Sequence, residues 1–390
     1  MVIRAARSGL LFIPVYFTGF RHMSNNYRIG IIGHTGRGNY GHGLDHVWSH
    51  VPKTKIVAVS DPDESGRRQA IKRLGLSQGF ADYRKMLDEA KPDIVSICPR
   101  WPDQHRDMVV ATAERGIHIY MEKPLCRALD EADEMVAACE AQNVKLAIAF
   151  QTRYSPKLPV IRDLIEDGQM GELLELRGRG KEDHRGGGED LWVLGSHIMN
   201  LMHYFAGEPK WCTAAVRQNG KPVSGDDVHP GVEGIGPLAG DVLNAMYGLP
   251  DGVTGYFASH RNTTAGRPSR FGLKIFGSRG VIDLVTGYVP EAHFLPDPSW
   301  SPGRSGKSWL PISSQGVDKP EPFAGQTNED GNVAACHDLI AAIEEDRQPE
   351  ASIYEARQSV EMIASVFEAH RLGKPVSLPL EARKNPLSLI

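Results

Sequence analysis

The chain has 390 residues, with 44 Lys and Arg against 48 Asp and Glu, a formal charge of −4; at about 150 residues per domain that length gives two domains. Hydrophobic residues at 41% and charged residues at 24% exclude a disordered chain, a collagen-like repeat and an all-membrane protein, and without excess Lys and Arg no nucleic-acid partner is expected. Five scattered cysteines (Cys98, Cys126, Cys139, Cys212, Cys336) with no C-x-x-C fit neither a disulfide framework nor a zinc site, and point to a reducing compartment, the cytoplasm.

Residues 1–22 place Arg4 and Arg7 before an apolar run, Gly9 to Phe20, broken by Pro14. That run is too short for a bilayer, which needs ~20 apolar residues, so no membrane association is expected. The stretch reads as a mis-assigned start, with Met23 the true initiator, or as a targeting segment that would export the chain. It is set apart from the fold.

Arg28 to Ile32 is a short β-branched run, read as a buried strand. It enters Gly33-His34-Thr35-Gly36-Arg37-Gly38, and the segment from Tyr40 to Trp48 reads as a helix. Strand, glycine-rich turn and helix start form a dinucleotide-binding arrangement, in which the backbone approaches a pyrophosphate and helix N–H groups bind its charge. Thr35 holds the position of the middle glycine. Lys55 to Val59 reads as a second strand, and Asp61 lies 23 residues beyond Gly38, near the ~20 expected of a carboxylate that holds a ribose hydroxyl. The alternative, a helix N-cap followed by Pro62, can hold at the same time. An acid there favours NAD, while Arg67 and Arg68 leave NADP possible.

The alternation continues with a strand at 93–98, a helix at 103–115, a strand at 117–121, a helix at 129–141 and a strand at 145–150, implying a parallel sheet covered on both faces. The strand at 117–121 ends in Glu122-Lys123-Pro124, at the edge where open α/β sheets bind ligands. Taken alone, the tripeptide reads more simply as a surface Lys beside Glu122. Further on, strands are expected at 172–180, 253–259 and 274–276, one helix at 191–205 and a closing helix at 353–372. Residues 284–330, rich in Pro, Gly and Ser, read as a surface excursion.

Together the 33–38 turn, Asp61, Gly116 to Leu125 with its Glu-Lys-Pro turn, Arg153-Tyr154, Gly168 to Glu172 and Gly195-Ser196-His197 resemble the Gfo/Idh/MocA family of oxidoreductases. The resemblance implies an amino-terminal Rossmann domain, 23–150, and a carboxy-terminal α/β domain, 151–390, with an open, mainly antiparallel sheet. It implies a bound nicotinamide cofactor contacted by Gly33, Thr35, Gly36, Arg37, Gly38, Asp61, Pro99, Trp101, His105, Glu122 and Lys123. It also implies a sugar, polyol or related alcohol as substrate, and a homodimer or homotetramer. Lys123 is then expected to contact the reacting hydroxyl and His197 to act as acid–base, with Arg153, Lys181, His184 and Asp190 as candidate substrate contacts. Lys181 to Arg185 also reads as a solvated loop, and Asp190 as a helix N-cap.

Three departures from the family pattern stand out. Val193 replaces the Asp one turn before the histidine, Asn200 replaces an Asp three residues after it, and Pro99 to His105 is two residues longer than the usual Pro-Asn-x-x-His. They keep open a reading in which transient oxidation serves glycoside cleavage or epimerisation, and one in which a nicotinamide-binding sensor has lost its chemistry. His42 and His46 stand four apart, a metal-binding spacing on a helix, but no third ligand is legible and no metal is expected.

Overall fold

The computed structural model describes residues 26–262 and 270–390, so the reading of residues 1–22 lies outside the described residues. Five short runs rich in buried Ile, Val and Ala form a parallel sheet: β1 Tyr27–Ile32, β2 Thr54–Ser60, β3 Ile94–Ile97, β4 His118–Met121 and β5 Leu146–Ile148, in the order β2-β1-β3-β4-β5. The crossovers carry α1 Glu64–Arg73, α2 Tyr83–Ala90, α3 His105–Ala113 and α4 Leu129–Ala141. The cap of α1 is Asp63, whose carboxylate accepts from Gly66 N at 2.6 Å, not Asp61. The strand order reverses direction at β1 and β3, opening the crevice in which such sheets bind ligands.

The helix expected over Tyr40–Trp48 is absent. Gly36, Gly38, Asn39, Gly41 and Gly43 all take left-handed φ values between 54° and 84°, which a right-handed helix cannot contain. The segment runs as successive turns into a single 3-10 turn, Val47–His50, and His42 and His46 therefore do not share a helix face. A late helix packs against this region instead. α5 Lys157–Glu166, α6 Gly188–Val193, α7 Gly195–Ala206 and the one-turn α8 Pro302–Ser305 precede α9, Asn328–Glu344. Ala335, Cys336 and Leu339 of α9 join Ile29, Ile31, Val47 and Trp48 in one buried cluster.

The second sheet is eleven-stranded and centred on β6, Leu173–Arg179. β6 pairs antiparallel with Gly272–Gly277 and parallel with Thr254–His260, and the remaining neighbours are antiparallel. Residues 284–330 are not a surface excursion: Ala292–Leu295 and Leu310–Ser313 extend this sheet beyond Gly280–Val285. Strands of four residues between Pro and Gly turns carry too little periodicity to be read. α10, Ile353–Leu372, starts at the Ser352 cap, ends at left-handed Gly373 and packs on α7 and the second sheet. Among the described residues no helix is long and apolar enough to cross a membrane.

Candidate active site

A cavity of about 310 Å³ opens where the carboxyl end of the parallel sheet meets the second sheet. Its walls include His42 from the glycine turn, Lys123 at the end of β4, Gln151 and Thr152 after β5, Lys181 after β6, and Leu194 and His197 at the start of α7. Phe271, Thr286, Gly287 and Asn328 complete the lining.

Lys123 is 6% exposed, and burial lowers its pKa against the opposing pull of Glu122. Its Nζ donates to Val193 O at 3.0 Å. That carbonyl is available because the helix expected at 191–205 is two helices. At the break His197 N donates to Leu194 O at 3.1 Å rather than to Val193 O, releasing the latter from the helical ladder. Where the resemblance implies an Asp, position 193 thus offers a backbone carbonyl, and it meets the lysine. Asn200, the other departure, lies 3.4 Å from Glu355 Oε2 on α10.

Glu122 is fully buried. Burial alone would raise its pKa, but hydrogen bonds from His42 and the charge of Lys123 hold it below the usual carboxylate range. His105, expected at the cofactor, is instead a buried staple under this turn, bridging Pro99 O at 2.7 Å and Pro124 O at 3.0 Å. Trp101 carries the guanidinium of Arg37 at 4.9 Å from its ring centre, and Arg37 also pairs with Asp103.

His197 is 8% exposed, its ring edge-on to Phe150 at 5.3 Å and Phe271 at 6.0 Å. Burial, then the charges of Lys123 and His42, push its pKa well below that of a free histidine. Below pH ~6.5 the unfolded chain therefore binds a proton here that the folded chain refuses, and stability falls as pH drops. His197→Asn is expected to melt with a smaller loss of Tm between pH 7 and pH 5 than wild type. Equal losses would show that burial does not hold this imidazole neutral.

Asp61 is not an open ribose acceptor. It is fully buried, and its oxygens accept from Thr35 N at 3.1 and 3.2 Å, Thr35 Oγ1 at 2.7 Å, Tyr40 Oη at 2.9 Å and Asp63 N at 3.0 Å. Burial and the Asp61 charge raise the Tyr40 pKa, keeping the phenol a donor. The Tyr40 ring covers Gly33, where a Cβ would overlap it; Gly38 packs as tightly on the backbone of Arg100, while Gly36 faces open space.

Asp190 is also enclosed, accepting from Lys181 N, Glu182 N and Ser259 Oγ inside α6 rather than capping it. Arg153 stacks 3.9 Å from the Tyr204 ring centre and pairs with Glu350, away from the cavity walls. His184 is 80% exposed beside Asp183. Of the four candidate substrate contacts outside α7, Lys181 alone lines the cavity.

Two family models match. One, described as an oxidoreductase family with an NAD-binding Rossmann fold, covers residues 27–150, and the other, the GFO/IDH/MocA C-terminal domain, covers 160–283. The chain belongs to the Gfo/Idh/MocA family. Levoglucosan dehydrogenase of Pseudarthrobacter phenanthrenivorans is 26% identical over 257 residues, 60% of this chain and 65% of that protein. D-apiose dehydrogenase of Paraburkholderia graminis is 28% identical over 193 residues, 47% and 51% of the two. The chain thus matches about half to two thirds of the length of these relatives. Among solved structures, levoglucosan dehydrogenase in complex with NADH and L-sorbose superposes with a TM-score of 0.74 at 20% identity, covering 91% of this chain and 100% of that one. An oxidoreductase domain protein from Kribbella flavida gives 0.73 at 22%, covering 92% and 100%. These two show the fold.

The residues of this family member fit a nicotinamide dinucleotide at the sheet's carboxyl edge. The cavity there holds Lys123, and the buried Nε of Arg37, on the glycine turn, has no hydrogen-bond partner, a donor suited to a phosphate oxygen. Asp61 is committed to the turn itself. Among the described residues no group of three or more His, Cys, Asp or Glu stands ready to hold a metal ion.

Sequence reasoning missed Asn332 of α9. Its Oδ1 accepts from Tyr120 Oη at 2.9 Å and Gln151 Nε2 at 3.1 Å, and its Nδ2 donates to His42 O at 3.1 Å. An Asn inside an otherwise apolar helix face was the signal available. His42, which lines the cavity, was missed too, because the presumed helix turned attention to its spacing from His46.

Proposed function

We propose that the chain is a nicotinamide-dependent dehydrogenase that oxidises a secondary alcohol of a sugar or polyol. The observation carrying this is the convergence of Lys123 and His197 on one cavity at the carboxyl edge of the Rossmann sheet. Oxidising a carbinol builds negative charge on its oxygen, and a desolvated ammonium opposite that oxygen stabilises it strongly. The Val193 carbonyl fixes Lys123 Nζ, so little reorganisation is needed when the charge forms. His197, held neutral, hydrogen-bonds and orients a substrate hydroxyl, and Lys181 and Gln151 offer further polar contacts across the cavity. The glycine turn and Arg37 would hold the phosphates of the dinucleotide, which supplies the hydride acceptor. The named sugar and inositol dehydrogenases among its relatives support this reading.

A panel of sugars and polyols offered with NAD and with NADP, followed by reduced-nicotinamide absorbance and product analysis, tests it. Net reduction with a ketone product is expected. Sugar release or epimerisation without net reduction would move the site to transient oxidation, and cofactor binding without turnover of any alcohol would sink the dehydrogenase reading. Because Asp61 is enclosed, discrimination between the two cofactors does not rest on its meeting a free ribose.

We further propose a homodimer or homotetramer joined through the open face of the second sheet, which presents Tyr256 on its surface and Phe276 beneath Arg177. A mass of at least twice 42.9 kDa is expected from light scattering at micromolar concentration, and a monomer would overturn it. Five free, buried thiols support a reducing compartment, the cytoplasm.

A further inference from the structure

His42 is fixed by three tethers. Its N–H donates to Glu122 Oε1 at 2.8 Å, its Nδ1 lies 2.6 Å from the same oxygen, and its carbonyl accepts from Asn332 at 3.1 Å. The approach depends on Gly41, where a Cβ would overlap both the Glu122 carboxylate and Cys98 O. Glu122 is wholly buried, but the His42 side chain is 48% exposed and faces the cavity shared with Lys123 and His197. A carboxylate only accepts, so Nδ1 carries the proton and the Nε2 lone pair is left free. Nε2 has no hydrogen bond among the described residues. His197, by contrast, has ring contacts with two Phe side chains and, among the described residues, no carboxylate to set its tautomer.

A carboxylate that orients an imidazole whose other nitrogen meets the substrate is the arrangement of a general base. We propose that His42 takes the proton of the substrate hydroxyl, with Glu122 as its positioning residue. The inference rests on the dehydrogenase reading and deepens it. As the carbinol C–H bond breaks and its hydride passes to the nicotinamide dinucleotide, the O–H proton passes to His42 Nε2. The C–O bond becomes a carbonyl, leaving a ketone, a reduced dinucleotide and an imidazolium facing Glu122. The charged and titratable groups around that imidazole are Glu122 and Lys123 just after β4, His197 from α7 and Lys181 across the cavity.

Nitrogen-15 histidine spectra of the intact chain are expected to show neutral His42 as the Nδ1–H tautomer; the Nε2–H tautomer would overturn the proposal. In alcohol oxidation, His42→Gln is expected to lose ~100-fold or more in kcat/KM and the acidic limb of the pH profile. Reduced-nicotinamide affinity, read by fluorescence, should stay near wild type. Glu122→Gln should move that limb to lower pH without abolishing it, which a merely structural role would not do, and added imidazole should partly restore His42→Ala. If His42→Gln keeps the limb while His197→Asn loses it, His197 is the base and the proposal fails alone. If wild type oxidises no alcohol with either dinucleotide, the dehydrogenase reading falls and this proposal with it.

Discussion

Lys123→Met is expected to lower turnover by roughly 100- to 1000-fold, the effect of removing one preorganised electrostatic donor. The substituted side chain has a similar length, so the buried slot between β4 and α6 stays filled and the loss reports charge rather than a cavity. Val193 O then loses its partner, at a cost of about 1–3 kcal/mol in stability; melting the variant separates that from the rate effect. Cofactor affinity should change little, because the phosphates are expected on the glycine turn and Arg37. A variant that keeps full activity on a verified substrate would remove Lys123 from the chemistry and leave Lys181 as the cation facing the cavity.

The second large effect falls on stability. Asp61→Ala removes the acceptor of Thr35 N, Thr35 Oγ1, Tyr40 Oη and Asp63 N together. Thr35 N lies on a half-buried residue and Asp63 N on an exposed one, where water replaces part of what is lost, so a loss of about 1–3 kcal/mol in all is expected in a urea titration. The glycine turn should loosen with it, and NAD and NADP should both bind more weakly. A variant with wild-type stability that instead discriminated less between the two cofactors would return Asp61 to the ribose.

Asp61 shows why the site was only partly legible. Its spacing from the glycine turn marks the end of β2 correctly, but spacing does not say which donors fill the carboxylate. Thr35, a side chain where the motif has glycine, is the clue: its hydroxyl takes an oxygen a ligand would otherwise meet. The parallel strands, α4 and α10 were readable because β-branched runs and helical periodicity are local properties of sequence. The turns at 36–43 were readable in principle, since glycine costs a helix ~1 kcal/mol per residue, but the motif suggested a helix instead. Neither the carbonyl released at Val193 nor Asn332 reaching His42 across 290 residues leaves a local trace. Lys123 and His197, named through the resemblance, do line one cavity, whereas Arg153, His184 and Asp190 lie off its walls, because a residue's place in a motif or a charged run does not give the direction of its side chain.

The packing of α9 on the parallel sheet sets an order of events during synthesis. When residue 150 leaves the ribosome, all five parallel strands exist, yet the face carrying Ile29, Ile31 and Trp48 has only the partial cover of Ala70 and its α1 neighbours until Ala335 to Leu339 arrive. At ~5–20 residues per second that interval is roughly ten to forty seconds. Through it the nascent amino-terminal half carries an apolar surface for chaperones to shield, and its glycine turn lacks the Asn332 clamp. A chimera that exchanges amino-terminal halves between relatives must therefore take its own 328–344 segment with it.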